Sequence, residues 1–125
     1  MSDKKASVLI VDDHPLFRER LCQLINNEPD LQVCGEAETA ENAVHLVHAA
    51  RPDLAIVDIT LKGSSALEFT KTLRALSINL PILVLSMHDE SLYAERALRA
   101  GAMGYITKNQ VSEEVLLAIR RVLAG

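Results

Sequence analysis

The chain has 125 residues, 49% of them hydrophobic and 24% charged, and a formal net charge of −4, the dimensions of one globular domain. The acidic balance, with no run of Lys or Arg, argues against a nucleic-acid partner, which needs a basic face to neutralise phosphates. Only four aromatic residues occur, Phe17, Phe69, Tyr93 and Tyr105, so aliphatic side chains must carry the core.

In chain order, β-rich runs alternate with segments of helical period. The runs are Val8–Val11, Leu31–Ala37, Leu54–Val57, Ile82–Leu85 and Gly104–Thr107. The first, third and fourth are continuously apolar, as in strands covered on both faces of a parallel sheet; the second and fifth are weaker and suit the edges. Between them, Leu16, Phe17, Leu21, Leu24 and Ile25 make one helical stripe, and Ala43, Val44, Val47 and Ala50 make a second. Ser65 and Glu68 have capping-box spacing ahead of Leu73 and Leu76. Asp89 is a cap for a helix through Ala100 closed by Gly101. Ser112, Glu113 and Glu114 open a last helix that turns Val115, Ile119, Val122 and Leu123 inward, with acidic residues at its positive end.

Five β-then-α units imply an α/β fold: a single doubly wound (βα)5 flavodoxin-like domain with a parallel sheet in the order 2-1-3-4-5. The functional crevice of such a sheet lies at the carboxyl ends of its strands. Asp12 and Asp13 end the first strand, Asp58 the third, Ser86 the fourth, and Thr107-Lys108 the fifth. Three converging carboxylates repel one another and call for a proton or a cation, and hard oxygen ligands suit Mg²⁺ or Mn²⁺. With Lys108 as a second cation and the Ser86 hydroxyl as a donor, the set equips a carboxylate to receive a phosphoryl group. An acidic pair after a strand is more often a turn or helix cap, and it is the joint placement that favours chemistry. His14, with Pro15, reads as the start of the first helix rather than as a phosphate contact. His45 and His48 read as a solvated face, His88 reads equally as a border of the site or a bystander, and Met87 reads as packing at its rim with a gating role left open. Cys22 and Cys34 lack metal or CxxC spacing and read as reduced thiols. The opening run is too short for a signal peptide or for a span of about 20 apolar residues, so a cytoplasmic location with no membrane contact is expected.

The segments VLIVDDHPLFRERL, PDLAIVDITL, PILVLSMHDE, GAMGYITK and EEVLLAIRRVLAG together resemble the receiver domain of bacterial two-component response regulators, the NarL/FixJ (LuxR-type) subgroup most of all, over essentially residues 1–125. The resemblance implies that Asp58 accepts a phosphoryl group from a sensor histidine kinase or phosphotransfer protein. It implies Mg²⁺ held by Asp13, Asp58 and the main chain of Thr60, with Asp12 acting through water. Ser86 would bond a phosphoryl oxygen, Lys108 would pair with it, and Tyr105 would turn inward as a switch once Ser86 moves. It also implies a homodimer through the first and last helices, or through the fourth helix, fifth strand and fifth helix. Transcription would be controlled through a helix-turn-helix domain beyond Gly125, the chain being read as a receiver excised from a longer regulator.

Departures from the family pattern are Lys62 where Pro is frequent, Ser65 where Gly is frequent, Met87 where a smaller residue would give more access to Asp58, and Asn109 where Pro follows the lysine, in some relatives through a cis peptide. Two other readings compete. An Asp-nucleophile phosphatase needs a second Asp two residues after the nucleophile, and Thr60 stands there. A binding module, either flavin-binding or never phosphorylated, would have a Ser/Thr/Gly-rich first loop or lack one of the acidic or lysine residues, and this chain has neither trait. The expected role is therefore a signal, not an enzyme beyond promoting its own phosphorylation and dephosphorylation.

Overall fold

The computed structural model describes residues 5–61, 64–86, 95–96, 98–99, 101–108 and 113–125. Its strands are β1 (Ala6–Val11), β2 (Leu31–Ala37), β3 (Leu54–Asp58), β4 (Thr60–Leu61), β5 (Ser64–Ser65), β6 (Ile82–Ser86) and β7 (Gly104–Thr107). The helices are α1 (Pro15–Asn26), α2 (Ala40–Ala50), α3 (Ala66–Ala75) and a C-terminal α4 (Glu113–Ala124). Glu95, Arg96, Leu98 and Arg99 are also helical, and Gly101 follows at φ 116, a conformation open to glycine at the close of a helix. The rest of the helix expected from Asp89 to Ala100 lies outside the described residues, as do Lys62, Gly63, Met87, His88, Asn109 and Ser112. Among the described residues no helix is long and apolar enough to cross a membrane.

Five strands form one parallel sheet in the order β2-β1-β3-β6-β7. The five long strands therefore keep the relative order expected from the sequence, with β2 and β7 at the edges. The numbering differs because β4 and β5, two residues each, pair antiparallel in a separate ribbon just after Asp58. So short a pair leaves no hydrophobic period in the sequence. The expected strand ends also move: the ladder extends to Asp58, paired with Leu85, and to Ser86, paired with Thr107.

The unbroken apolar runs conceal a period of two. Leu9, Val11, Ala55, Val57, Ile82 and Val84 face α2 and α3, meeting Ala43, Val47, Phe69 and Leu73. Val8, Ile10, Leu54, Ile56, Leu83 and Leu85 face the other way, toward Leu21 and Ile25 of α1 and Val115, Leu116 and Ile119 of α4. Two cores with one sheet between them explain why no polar residue interrupts β1 from Val8 onward, or β3 or β6 before its carboxyl end.

The helical stripes need two corrections. Leu16 is 82% exposed; at about 100° per residue it points roughly 140° away from Leu21, so it shares the stripe's composition but not its direction. Leu76 is 51% exposed because α3 ends at Ala75 and Leu76 is its C-cap. Phe69, absent from the expected stripe, is the large side chain that α3 buries completely. The Ser65 cap is as expected, its hydroxyl accepting from the Glu68 amide at 3.1 Å. Substituting Phe69→Ala should cost about 3–5 kcal/mol in urea unfolding, whereas Leu16→Ala should stay within about 0.5 kcal/mol.

Candidate functional site

The sheet register delivers the site. Val11 of β1 lies beside Val57 of β3, so the next residues, Asp12 and Asp58, emerge at the same level. Asp58 is paired with Leu85 and Ser86 with Thr107, so each later strand steps one residue further out, and Lys108 leaves β7 at the outermost step. Parallel strands in this stagger bring residues from four stretches of chain to one rim.

The rim is largely dry. Asp12 is 1% exposed, Asp58 3%, Ser86 1% and Lys108 8%, and Asp13 is partly exposed. The ammonium of Lys108 lies 2.8 Å from Asp12 Oδ2 and 3.1 Å from Asp58 Oδ2, and it donates a hydrogen bond to the latter. Its position is fixed from the side by the Phe17 ring, whose centroid is 4.3 Å away, within cation–π range. Burying two carboxylates is costly unless a cation is buried with them. Lys108 supplies one such charge.

It does not satisfy the whole cluster. Asp12 Oδ2 and Asp13 Oδ1 are buried and accept no hydrogen bond among the described residues; Lys108 approaches the first closely, but outside hydrogen-bonding geometry. Asp12, Asp13, His14 and Asp58 each offer a ligand atom, all within 4.8 Å of one another. Orphaned hard oxygens on a compact anionic cluster fit a divalent cation.

His14 belongs to this cluster, which the sequence reading did not foresee. It does cap α1, with Pro15 in the first turn, but its ring folds back into the site. Nδ1 is 2.9 Å from Asp12 Oδ1, 3.2 Å from Asp13 Oδ1 and 3.4 Å from Asp58 Oδ2, while the His14 amide donates to Asp12 Oδ1 at 2.8 Å. The signal was the DDHP order itself, since proline at the first helical position holds the preceding residue extended and beside the aspartates. Arg18, one turn further along α1, was also unforeseen. Its guanidinium donates to the main-chain oxygen of Asp12 at 2.7 Å and to Glu36 Oε1 at 3.0 Å, tying the acidic loop to β2.

The other expected residues take their places in the fold. Ser86 ends β6 beside the strand of Asp58, Thr60 opens β4 two residues beyond Asp58, and Tyr105 lies on the edge strand β7, partly buried against the α2–α3 core. His45 and His48 are exposed on α2. The Lys108–Asn109 peptide lies outside the described residues.

A doubly wound parallel sheet with acidic residues and a lysine gathered at its carboxyl rim is the layout of a signal-receiver module. The comparisons with known proteins agree: the response regulator receiver domain family matches residues 8–120, and the chain belongs to that family. It is 35% identical over 124 residues to the nitrate/nitrite response regulator NarL of Escherichia coli K12, covering 99% of this chain and 57% of that protein. It is 34% identical over 125 residues to the transcriptional regulator DegU of Brevibacillus brevis, covering 100% and 53%. The chain thus spans little more than half the length of these relatives. Among solved structures, the signal receiver domain of a NarL response regulator from Mycobacterium tuberculosis superposes with a TM-score of 0.92 at 30% identity, covering 98% of each chain. A LuxR-family two-component response regulator from Aurantimonas sp. SI85-9A1 gives 0.92 at 38% identity, covering 98% of this chain and 87% of that one.

Two expectations test the electrostatics. Lys108→Ala strands two buried carboxylates and should lower stability by about 3–5 kcal/mol in divalent-free urea unfolding. Beside Arg18, burial and then the nearby Glu36 carboxylate push the Cys22 thiol up to about 12. The folded thiol therefore keeps its proton where the unfolded one, ordinarily near 9.0, releases it. Its contribution to stability is complete below pH 9 and is lost as the pH rises toward 12. At pH 8, iodoacetamide should modify native Cys22 more than about tenfold slower than the urea-unfolded thiol.

Proposed function

We propose that Asp58 is the phosphoryl acceptor of this receiver and that phosphorylation there is the signal it carries. The supporting observation is the buried Lys108 ammonium, 3.1 Å from Asp58 Oδ2 and 2.8 Å from Asp12 Oδ2, at a rim where Asp13 Oδ1 accepts no hydrogen bond among the described residues. An oxygen of Asp58 attacks phosphorus; the bond between phosphorus and the imidazole nitrogen of a sensor kinase or phosphotransfer protein breaks as the acyl phosphate forms, and the electron pair leaves with the imidazole. Lys108, already beside the attacked carboxylate, pairs with the transferred oxygens, and the Ser86 hydroxyl donates to one of them. Asp13, Asp58 and the Thr60 carbonyl would hold Mg²⁺ or Mn²⁺, with Asp12 acting through water. The ion would neutralise charge on the transferring phosphoryl group.

The signal leaves through packing. Ser86 and Tyr105 sit on adjacent strands, and Tyr105 borders an open groove of about 540 Å³ between β7 and α4, lined also by Met103, Leu117 and Val122. Movement of Ser86 toward a phosphoryl oxygen gives the Tyr105 ring room to turn inward and changes this face. The output is transcriptional, as the name of the transcriptional regulatory protein DegU suggests, through a DNA-binding helix-turn-helix domain, with homodimerisation through α1 and α4 or through the β7–α4 face. The phosphoryl group is a stored signal rather than a released product, which separates this reading from a phosphatase.

Acetyl phosphate with Mg²⁺ should add about 80 Da to the intact protein and nothing to Asp58→Asn. An unmodified wild-type protein, or an equally modified variant, would count against Asp58 as acceptor.

A further inference from the structure

We propose that His14 is a nitrogen ligand of the acidic pocket and shifts its preference from Mg²⁺ toward divalent transition ions. The inference rests on the reading above that the pocket takes a divalent cation, and it adds an imidazole to what would otherwise be an all-oxygen site.

Three observations carry it. First, His14 Nδ1 faces oxygens of three different carboxylates at 2.9, 3.2 and 3.4 Å. Ligands bound at about 2.0–2.1 Å to an octahedral ion sit about 3.0 Å apart along each polyhedron edge, so the nitrogen lies at the spacing of a neighbouring vertex. Second, Nδ1 is also 3.1 Å from Lys108 Nζ. A nitrogen cannot both donate its proton to Asp12 Oδ1 and accept one from the Lys108 ammonium. Asp12 Oδ1 already accepts from the His14 amide at 2.8 Å, so it does not need the ring proton, and an unprotonated Nδ1 has a lone pair available to a cation. Third, among the described residues Asp13 Oδ1 accepts no hydrogen bond, and Asp12 Oδ2, on a residue 1% exposed, has only the Lys108 ammonium at 2.8 Å, outside hydrogen-bonding geometry. These orphaned oxygens lie on the same cluster as the imidazole.

The consequence is chemical selectivity. Carboxylate, carbonyl and water ligands suit Mg²⁺ and Mn²⁺, while imidazole adds most to ions later in the first transition row, such as Co²⁺. The His14 ring is half-exposed, at 55%, so its other nitrogen can remain hydrated while Nδ1 binds.

The test is calorimetric titration of Mg²⁺ and of Co²⁺ into the protein and its His14→Ala variant, with electron spin-echo spectroscopy of the bound Mn²⁺ complex. The expected result is a loss of about tenfold or more in Co²⁺ affinity on substitution, with Mg²⁺ affinity changed less than about twofold. The modulation from a directly bound nitrogen should be present in the wild type and absent in the variant. If Co²⁺ affinity falls no more than Mg²⁺ affinity, or the nitrogen signal survives in His14→Ala (for instance from His45 or His48), His14 is not a ligand although the cation pocket stands. If the wild-type protein binds neither ion, the pocket itself fails and this inference with it.

Discussion

One buried ammonium between two buried carboxylates governs this molecule. Lys108 reaches Asp12 and Asp58 at 2.8 and 3.1 Å, and all three residues are more than nine-tenths buried. In such surroundings an unpaired charge costs far more than at a surface, so the loop after β7 is bound to the ends of β1 and β3. The same arrangement remains anionic overall, since Asp13 joins the cluster, and two of its oxygens accept no hydrogen bond among the described residues. A site that one lysine leaves partly unsatisfied suits a further cation, and the proposed transfer of a phosphoryl group would draw on both charges.

The rest of the fold maintains that tension. Two apolar cores clamp the central strands from both faces, so β1, β3 and β6 cannot slip in register without exposing a row of Val, Ile and Leu side chains. Arg18 ties the Asp12 carbonyl to Glu36 on the edge strand β2, and Phe17 covers the lysine. At the C-terminal end, Arg120 of α4 makes paired contacts with Asp30 and also reaches Glu28, fastening α4 to the turn after α1. This pairing holds the Asp30 carboxyl below its usual range. On the β7–α4 face, by contrast, Met103 and Leu117 are exposed. A rigid acidic rim joined to a more open apolar face is a suitable layout for a charge event that must be read as a change of shape.

Most of the architecture was legible because it is written in runs. Strands buried on both faces leave unbroken apolar stretches, and the polar residue ending each stretch marks the rim, which is how Asp12, Asp58 and Ser86 were legible in the sequence; Lys108 follows the weaker edge run Gly104–Thr107. What escaped notice depended on direction rather than composition. Leu16 is as apolar as Leu21, but its angle on the helix sends it to solvent. Leu76 continues the spacing of Leu73 past the point where the helix has stopped. His14 fits the role of a helix start, and nothing in its type discloses that the extended residue before Pro15 returns its ring to the aspartates. The β4–β5 ribbon is too short for any period to register.

Crystallographic analysis with Mg²⁺ and beryllofluoride, a non-hydrolysable stand-in for a phosphoryl group, tests the central claim most directly. The account predicts beryllium bonded to an oxygen of Asp58, its fluorides met by Lys108 and Ser86, and the ion held among Asp13, Asp58 and the Thr60 carbonyl. Beryllofluoride seated elsewhere, or a Lys108 ammonium that remains between Asp12 and Asp58 and touches no fluoride, would contradict it.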